Sequence, residues 1–300
     1  MIFFDEPLVS VLMTSYNREN FISEAIESVL ASTYKNFELI IVDDCSSDST
    51  LEIAKQYEVK DSRLKVFKNI KNLGDYANRN EAASHASGKY LKYLDSDDII
   101  FPWGLSTMVQ CIEAFPNAAI GLCSGPGSNI KYPQLLSPES AYKSYFFKNQ
   151  ILISGPTGAI INRTVFESYY GFRATQFIGD TDLWLRITQK NSIAIMPPGL
   201  IYWREHEGQQ IVEEKKNQDI EAVRFRLILN YLNDEACPLS KKDAQLAIQN
   251  LTNIKCRRII QDIFRGKIEK GLKRRQKLGL RTKDFFKALR RNSVPIFSPL

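Results

Sequence analysis

The first part of the chain alternates between short apolar runs and segments whose apolar residues recur at helical spacing. The apolar runs are typical of buried strands, because each is rich in aliphatic or aromatic residues and is bounded by polar ones. They lie at residues 8–14, 37–42, 64–67, 90–94 and 118–123. Strands that alternate with helices predict right-handed crossovers and a largely parallel sheet. The pattern therefore predicts an α/β fold for this region.

Capping and breaking residues set the expected bounds of the helices. Asn17 is predicted to cap the first helix, since a polar residue stands there before an amphipathic segment. A helix is expected from Asp75 to Ala86, with Gly88 suited to follow its C-terminus. Pro102 is expected at the first position of another helix, because proline is tolerated in the first turn.

The alternating pattern loosens after residue 124. A helix at 141–148, a strand at 157–161 and a helix at 180–189 are still expected there. From Asp219 onwards the sequence has helical spacing and few strand signals. We therefore predict an α/β domain over 1–210 and a helical C-terminal region over 211–300.

Polar residues follow three of the predicted strands at the points where those strands end. Ser15, Tyr16 and Asn17 follow the first strand, Asp43 and Asp44 end the second, and residues 95–98 follow the fourth. Ligands of open parallel sheets bind at the carboxyl ends of the strands. Three polar clusters from distant parts of the chain are therefore expected at one edge of the sheet.

The segment Asp95-Ser96-Asp97-Asp98 carries three carboxylates beside a buried strand. Such groups repel one another, and a fold retains them when a cation neutralises the charge or one carboxyl stays protonated. Closely spaced oxygen ligands suit Mg²⁺ or Mn²⁺. A helix cap by Asp98 is the alternative, but a cap needs only one carboxylate. We favour the metal site.

The charge of the chain is unevenly distributed. The whole chain carries +6, whereas residues 251–300 hold fifteen Lys and Arg against three acidic residues, a net charge of +12. The preceding 250 residues are therefore net acidic. Basic amphipathic helices adsorb to anionic lipid, so residues 251–291 are expected to contact an anionic membrane surface. A solvated helical extension and an oligomerisation arm remain alternatives; no nucleic-acid recognition motif is present.

Composition narrows the class of protein further. With 44% hydrophobic residues the chain can bury a large core, and no apolar stretch is long enough for a membrane span. The acidic N-terminus lacks the features of a signal peptide. Five widely spaced cysteines without a CxxC pair suggest neither a zinc site nor a disulfide framework. We expect a cytoplasmic protein, with peripheral docking at the inner face of the cell membrane.

Five motifs in order resemble the family 2 glycosyltransferases, which have the inverting mechanism and the GT-A fold, a Rossmann-like sheet flanked by helices. The motifs are Val9–Asn17, Ile41–Ser46, Asn72-Leu73-Gly74 with Asn78-Arg79-Asn80, Leu94–Asp98 and Gly179–Arg186. The resemblance covers about residues 7–210. It implies a nucleotide-binding half at about 7–124 and an acceptor half at about 125–210.

The resemblance implies a nucleotide-diphosphate sugar as donor, expected to be a UDP-sugar. Tyr16 would stack on the base, Asp44 would accept the base N–H, and Arg79 would lie near the diphosphate. The donor-binding residues implied in this way are Thr14, Tyr16, Asn17, Asp44, Asn72, Gly74, Arg79, Asp95 and Asp97. The acceptor would be a glycan or a lipid-linked hydroxyl, in cell-surface polysaccharide or glycoconjugate synthesis.

The resemblance also implies a divalent cation and a catalytic base. Asp97 and Asp98 would hold Mn²⁺ or Mg²⁺, and His206, in an element similar to the family's Tyr-Arg-x-His, is a further candidate ligand. Asp180 would be the general base that takes the acceptor proton. Gly179 stands where the family usually has Glu, and Asp182 is a competing base.

Two other functions remain open from the residues alone. A nucleotidyltransferase also combines an α/β sheet with acidic metal ligands, but it needs a Gly-rich basic phosphate loop, which Thr14–Arg18 does not provide. A catalytically silent nucleotide- or glycan-binding module with a membrane arm is the other. The presence together of Asp44, Asp97, Asp98 and Asp180 argues against the silent module.

Overall fold

The computed structural model describes residues 6–125, 131–148, 151–173, 177–206 and 218–290. Arg291, at the end of the predicted basic segment, lies outside these residues. Parts of the predicted acceptor half, at 126–130, 149–150, 174–176 and 207–210, also lie outside them. The chain divides into two compact units. The first unit contains residues 1–137 and 151–205, and the second contains 138–150 and 206–300.

The first unit is built on an eight-stranded mixed sheet. Its strands are β1 (Val9–Ser15), β2 (Phe37–Asp43), β3 (Leu64–Lys68), β4 (Tyr90–Tyr93), β6 (Ala118–Cys123), β7 (Gln134–Leu136), β8 (Ala159–Asn162) and β9 (Ser192–Met196). They are arranged in the order β3-β2-β1-β4-β8-β6-β9-β7. Two short strands, β5 (Ile99–Ile100) and β10 (Ile201–Tyr202), form a separate antiparallel pair. The predicted Rossmann-like α/β architecture is confirmed.

Strands β3, β2, β1 and β4 form the parallel half of the sheet. The apolar runs of β1, β2 and β4 are buried on both faces, as expected where helices cover a parallel sheet, whereas β3 at the sheet edge is partly exposed. Alternate residues Val9, Val11 and Met13 of β1 share one core with residues of the flanking helices. The register pairs Ser15 with Asp43, so the carboxyl ends of β1 and β2 lie side by side.

The other half of the sheet contains antiparallel strands. β8 pairs antiparallel with both β4 and β6, and β7 pairs antiparallel with β9, whereas β6 and β9 are parallel. The sequence analysis did not identify β7, β9 or the β5–β10 pair. The 3₁₀ turns Ile151–Ile153 and Pro156–Gly158 lead into β8.

Helices α1 (Ile22–Leu30), α2 (Thr50–Glu58), α3 (Asp75–Ser84), α4 (Gly104–Glu113), α6 (Arg163–Ser168) and α7 (Gly179–Thr188) belong to the first unit. Helix α1 begins at Ile22, so Asn17 does not cap it. Asn17 instead has φ 52° and binds the loop after β2. Helix α4 begins at Gly104, two residues after the expected Pro102.

The second unit is helical, as predicted for the C-terminal region. It contains α5 (Pro138–Phe147), α8 (Gln218–Asn233), α9 (Lys241–Phe264), α10 (Ile268–Leu278) and α11 (Thr282–Arg290). The segment 138–150 joins this unit, although the sequence pattern did not indicate it. Among the described helices, none combines the length and apolar character needed to cross a membrane.

Gly88 is required by close packing between the start of β4 and β1. A Cβ atom at this position would lie 2.6 Å from the Ser10 backbone N and 2.7 Å from the Leu8 carbonyl O. Neither neighbour can rotate away, because both are backbone atoms of the adjacent segment. The position therefore selects glycine for space, rather than for the helix end that the sequence suggested.

Replacing Gly88 with alanine is expected to destabilise the fold by about 1–3 kcal/mol, the range for overpacked interiors. Urea unfolding measures this loss. Gly155→Ala is the matched control, because a Cβ there meets nothing within 4 Å. Equal midpoints for the two variants would contradict the close packing at Gly88.

Candidate active site

The ends of β2, β1 and β4 are neighbours in the sheet, and the loops that follow them are bound to one another. Asn17 N donates to Ser46 Oγ at 2.9 Å, and Ser47 N donates to Asn17 Oδ1 at 2.9 Å. Arg18 Nε donates to Asp97 Oδ2 at 3.0 Å. The three polar clusters expected at one sheet edge are therefore in direct contact there.

Asp43 shapes the turn that carries its neighbour Asp44. Its buried carboxylate accepts from Ser46 N at 2.9 Å and from Ser46 Oγ at 2.5 Å. Cys45, between them, has φ 65°, in the left-handed region that short polar-anchored turns tolerate. The turn directs the chain across the end of β1, where Asp44 N donates to Ser15 O.

The Asp44 carboxylate holds the loop that contains Asn72 and Gly74. It accepts from Leu73 N at 2.8 Å, from Gly74 N at 2.9 Å and from Asn69 Nδ2 at 2.7 Å, while Asn72 Nδ2 donates to the Asp44 carbonyl at 3.1 Å. A carboxylate offers about four lone-pair sites. Three are occupied by the loop, which leaves Oδ2 able to accept one further hydrogen bond.

Two buried asparagines, Asn69 and Asn78, connect Asp44 to the interior through hydrogen bonds. Asn69 Nδ2 also donates to Asn78 Oδ1 at 2.9 Å, and Asn78 Nδ2 donates to Val42 O at 3.2 Å. Asn78 belongs to α3 and Val42 to β2, so the network connects helix, loop and strand. Buried side-chain networks of this kind fix a single geometry. The sequence analysis did not identify Asn69.

The carboxylates of Asp95, Asp97 and Asp98 form one cluster. Three ligand oxygens, one from each, all lie within 4.8 Å of one another. Asp98 Oδ2 is buried and has no hydrogen-bond partner among the described residues. Buried polar atoms without a partner are rare, and a cation bound to this cluster would satisfy Asp98 Oδ2. Hard carboxylate oxygens and an unsatisfied buried acceptor together fit a divalent cation.

Burial is the main reason that the pKa of Asp98 rises to about 7, and the charges of Asp95 and Asp97 raise it further. The Arg204 N–H, which donates to Asp98 Oδ1 at 3.1 Å, and the nearby Thr157 hydroxyl oppose this shift. The anionic form of Asp98 is therefore costly in the cluster as it stands, and an added positive charge would stabilise it.

Arg79 is buried beside the cluster. Its Nε donates to Asp75 Oδ1 at 2.8 Å, and its Nη2 lies 2.8 Å from Asp95 Oδ1. Burial opposes the charged guanidinium, but Asp75 and Asp95 outweigh it, and the pKa of Arg79 is raised. Its Nη1 is buried without a hydrogen-bond partner among the described residues.

Two further cationic residues contact the acidic cluster. Arg204, in the element resembling Tyr-Arg-x-His, was a candidate for offsetting phosphate charge, whereas Arg18 was not assigned to this surface from sequence. Arg18 forms an ion pair with Asp97, and Arg204 Nε donates to the Asp97 carbonyl at 2.9 Å. Arg204 also forms an ion pair with Glu24 on α1. A signal for Arg18 was available, because it directly follows the polar end of β1.

Lys92 lies at the centre of β4 and is fully buried. Its ammonium donates to the carbonyls of Tyr93 and Thr157. Burial lowers the pKa of Lys92 to about 8, against the raising effect of Cys123, Asp95 and Asp98. The side chain thus connects β4 to the turn before β8 and offsets negative charge from the interior.

Asp180 lies in the first turn of α7, half-buried. Its Oδ1 accepts from Thr181 N at 2.6 Å, and the Tyr76 hydroxyl lies 3.4 Å from the same oxygen. The Tyr76 ring covers Gly179, where an added Cβ would meet ring carbons at 2.8 Å. Tyr76 therefore occupies the space that a side chain at position 179 would need.

Asp182 is in a different environment. It is buried and forms ion pairs with Arg173 at 3.4 Å and with Arg186 at 3.3 Å, one helical turn along α7. This pairing gives Asp182 a structural role in the helix. A base must reach an acceptor hydroxyl, so the more exposed Asp180 is better placed than Asp182 to serve as one.

The remaining predicted site residues are less constrained. Tyr16 directly follows β1 with 47% of its surface exposed, so its ring is accessible to a ligand. Thr14 lies half-buried in β1, opposite Val42. His206 belongs to the second unit, whereas the carboxylate cluster belongs to the first. Its assignment as a metal ligand stays a prediction.

Comparison with known proteins identifies the class. The family model for Glycosyl transferase family 2 matches residues 10–170, more than half of the chain. The Escherichia coli UDP-Glc:alpha-D-GlcNAc-diphosphoundecaprenol beta-1,3-glucosyltransferase WfgD is 31% identical over 222 residues, which cover 72% of this chain and 83% of WfgD. The chain belongs to glycosyltransferase family 2 and is a glycosyltransferase.

Solved structures agree with the fold. The crystal structure of S. aureus TarS 1–349 with UDP-GlcNAc has a TM-score of 0.70 at 21% identity, covering 93% of this chain and 81% of that one. The mannosyltransferase PcManGT from Pyrobaculum calidifontis, with GDP-Man and Mn²⁺, has a TM-score of 0.60 at 19% identity, covering 74% and 64%. At these identities the likeness concerns the fold.

Arg79→Met is expected to destabilise the protein by about 2–4 kcal/mol, because Asp75 and Asp95 lose a shared buried counter-charge. Both carboxylates keep some solvent, which places the estimate below the range for fully buried pairs. Urea unfolding measures the loss. Arg63→Met is the control, since the Arg63–Asp61 pair is more exposed and is worth about 1 kcal/mol or less.

Proposed function

We propose that this protein is a metal-assisted, inverting glycosyltransferase that uses a UDP-sugar. The proposed acceptor is a glycan or lipid-linked hydroxyl in cell-surface polysaccharide or glycoconjugate synthesis. The observation that carries the proposal is the carboxylate cluster of Asp95, Asp97 and Asp98, with its unpartnered Asp98 oxygen, at the edge where β1 and β2 also end. A divalent cation held by these carboxylates would neutralise charge on the diphosphate of a nucleotide sugar.

The ends of β1 and β2 would bind the nucleoside. Tyr16 offers an exposed ring on which a base can stack, and Asp44 Oδ2 retains a lone pair that can accept the uracil N–H. The UDP-GlcNAc complex of TarS, which shares the fold, supports UDP as the nucleotide. Thr14, Asn17, Asn72 and Gly74 would complete this surface.

Asp97 and Asp98 would hold the cation, and Mn²⁺ in the complex of the related fold PcManGT supports a divalent ion. When bound, Mn²⁺ or Mg²⁺ would supply positive charge against the donor diphosphate. Asp95 lies in the same cluster and is tied to Arg79. Arg18 fixes the Asp97 carboxylate, and Arg204 fixes the backbone of Asp97.

Asp180 would serve as the general base. As the acceptor oxygen attacks the anomeric carbon, its proton passes to the Asp180 carboxylate. The new bond from acceptor oxygen to carbon forms on the face opposite the leaving phosphate. The bond from carbon to phosphate oxygen breaks, and the nucleoside diphosphate departs with the electron pair. Attack from the opposite face inverts the anomeric configuration.

A lipid-linked acceptor is supported by the relative WfgD, whose name specifies a diphosphoundecaprenol-linked sugar. Such an acceptor is anchored in a bilayer, so an enzyme that acts on it gains from residing at the lipid surface. We therefore include an anionic membrane surface among the proposed partners. The basic residues of 251–290 supply the matching charge.

Asp180→Asn is expected to lower transfer by at least about a hundredfold, because the amide cannot accept the acceptor proton. Binding of UDP should remain within about twofold of the unaltered protein, since the proposed nucleoside surface is unchanged. Transfer is measured as UDP release with mixed bacterial lipid-linked acceptors, and binding by calorimetry. Unchanged transfer would refute the assignment.

Two matched variants interpret that result. Glu52→Gln alters an exposed carboxylate of α2 and should leave both transfer and UDP binding unchanged. Asp182→Asn removes two ion pairs and should lower the unfolding midpoint, which Asp180→Asn should not. A variant that lost transfer only together with stability would indicate a structural role.

The metal site is tested by thermal unfolding with UDP and Mn²⁺. Saturating ligands should stabilise the protein by about 3 kcal/mol at a hundredfold excess over Kd. Asp98→Asn should lose most of the Mn²⁺-dependent part of this shift while unfolding alone at the same or a higher temperature, because a strained buried charge is removed. A full Mn²⁺-dependent shift in Asp98→Asn would exclude it as a ligand.

A further inference from the structure

The turn between α9 and α10 carries an unusual combination of exposed residues, which we name the 263–273 tip. All residues from Ile263 to Lys270 are exposed. Four of the seven large apolar side chains exposed in the described part of the second unit fall within this tip. Phe264 is 87% exposed, Ile268 56% and Leu272 51%. Apolar exposure concentrated in this way marks an interaction site.

Positive charge surrounds these apolar side chains. The tip has four exposed basic residues, Arg265, Lys267, Lys270 and Lys273. Its single acidic residue, Glu269, is bound to Lys273 at 2.6 Å. The tip therefore presents apolar groups within a net positive rim.

The tip is rigidly supported rather than a loose tail. Gly266 has φ 75°, which lets the chain reverse between the helices. Gly271 permits close contact of α10 with α9, because a Cβ there would lie 2.9 Å from Ile263 Cγ1. Buried Arg274 binds Glu221 at 2.9 Å and also forms an ion pair with Asp262.

Some basic residues of the segment predicted to contact the membrane are instead used in ion pairs inside the second unit. Lys255 and Arg274 both bind Glu221, so their charges are used inside the unit. These internal pairs hold the helices together and are not available to a partner. Exposed basic residues lie beside exposed apolar side chains at 263–273, and also in α11 around Phe286 and Leu289. The tip has the larger number of both, with four exposed large apolar side chains against two in α11.

We propose that the 263–273 tip docks on an anionic lipid bilayer, with Phe264, Ile268 and Leu272 inserted among the acyl chains and the basic residues on the lipid phosphates. This proposal specifies how the anionic membrane named under the proposed function would be bound. It rests on that membrane partner and does not depend on the transfer chemistry. Charge complementarity selects the lipid. A second copy of the chain would bring one positive tip against another, which repels.

Co-sedimentation of the full chain with vesicles tests the docking. Vesicles of phosphatidylcholine mixed with phosphatidylglycerol should retain the protein, and pure phosphatidylcholine should retain less. The combined variant Phe264→Ser, Ile268→Ser, Leu272→Ser keeps the net charge and should weaken binding at least about tenfold, because three apolar side chains no longer insert. Point changes are needed because α9 spans residue 250, and truncation there would cut the helix.

A second variant separates charge from insertion. Lys267→Gln with Lys270→Gln should weaken binding to the anionic vesicles, and added salt should weaken the binding of this variant less than it weakens that of the unaltered protein. Val59→Ser removes an exposed apolar residue of the first unit and should bind as the unaltered protein does. Phe286→Ser with Leu289→Ser tests two of the other three exposed large apolar side chains in the described part of the second unit and should have the smaller effect.

Several outcomes would overturn the proposal. These are vesicle binding by the triple serine variant equal to that of the unaltered protein, no binding by the unaltered protein, or loss of binding only with Phe286→Ser and Leu289→Ser. A triple variant that changes from oligomer to monomer in sedimentation velocity would assign the tip to self-association. Unfolding midpoints, and the shift with UDP and Mn²⁺, should match in all variants. Absence of the UDP and Mn²⁺ shift would count against the proposed transfer function. Absence of vesicle binding would count against membrane docking by the 263–273 tip.

Discussion

The site depends on keeping three carboxylates together at the end of a buried strand. Asp95, Asp97 and Asp98 repel one another and are partly removed from water, so the fold must supply opposing charge. It does so from separate segments, through Arg18 after β1, Arg79 on α3 and Lys92 within β4. These positive charges come from distant parts of the chain, so they reach the carboxylates only when the sheet is assembled. The charge balance of the site therefore depends on the strand order.

Much of the sheet edge could be predicted from sequence, because strand order and residue type act together there. The apolar runs at 37–42 and 118–123 became β2 and β6 almost unchanged, and the polar residues that follow β1, β2 and β4 meet as the parallel topology requires. Asn17 was misassigned as a helix cap since its side chain bonds across to Ser47, thirty residues away. Local patterns cannot reveal such a partner.

The elements missed were those whose identity is set by tertiary contacts. β9 (Ser192–Met196) is short and apolar, and only pairing with β6 and β7 makes it a strand. Helix α5 (Pro138–Phe147) was expected from sequence, but its membership of the helical unit was not, because that depends on tertiary contacts. Lys92 stands in an apolar run as a single exception, and its two carbonyl partners are visible only in three dimensions. Charge counting over 251–300 likewise could not separate inward ion pairs from exposed groups.

The contact between Tyr76 and Gly179 has a consequence for how this chain can change. The aromatic ring of Tyr76 on α3 fills the volume that a side chain at position 179 would occupy. Neither position tolerates a change of size alone, since a larger residue at 179 would collide with the ring and a smaller one at 76 would leave a void. Residues 76 and 179 should therefore be exchanged together when segments of this chain are combined with segments of its relatives.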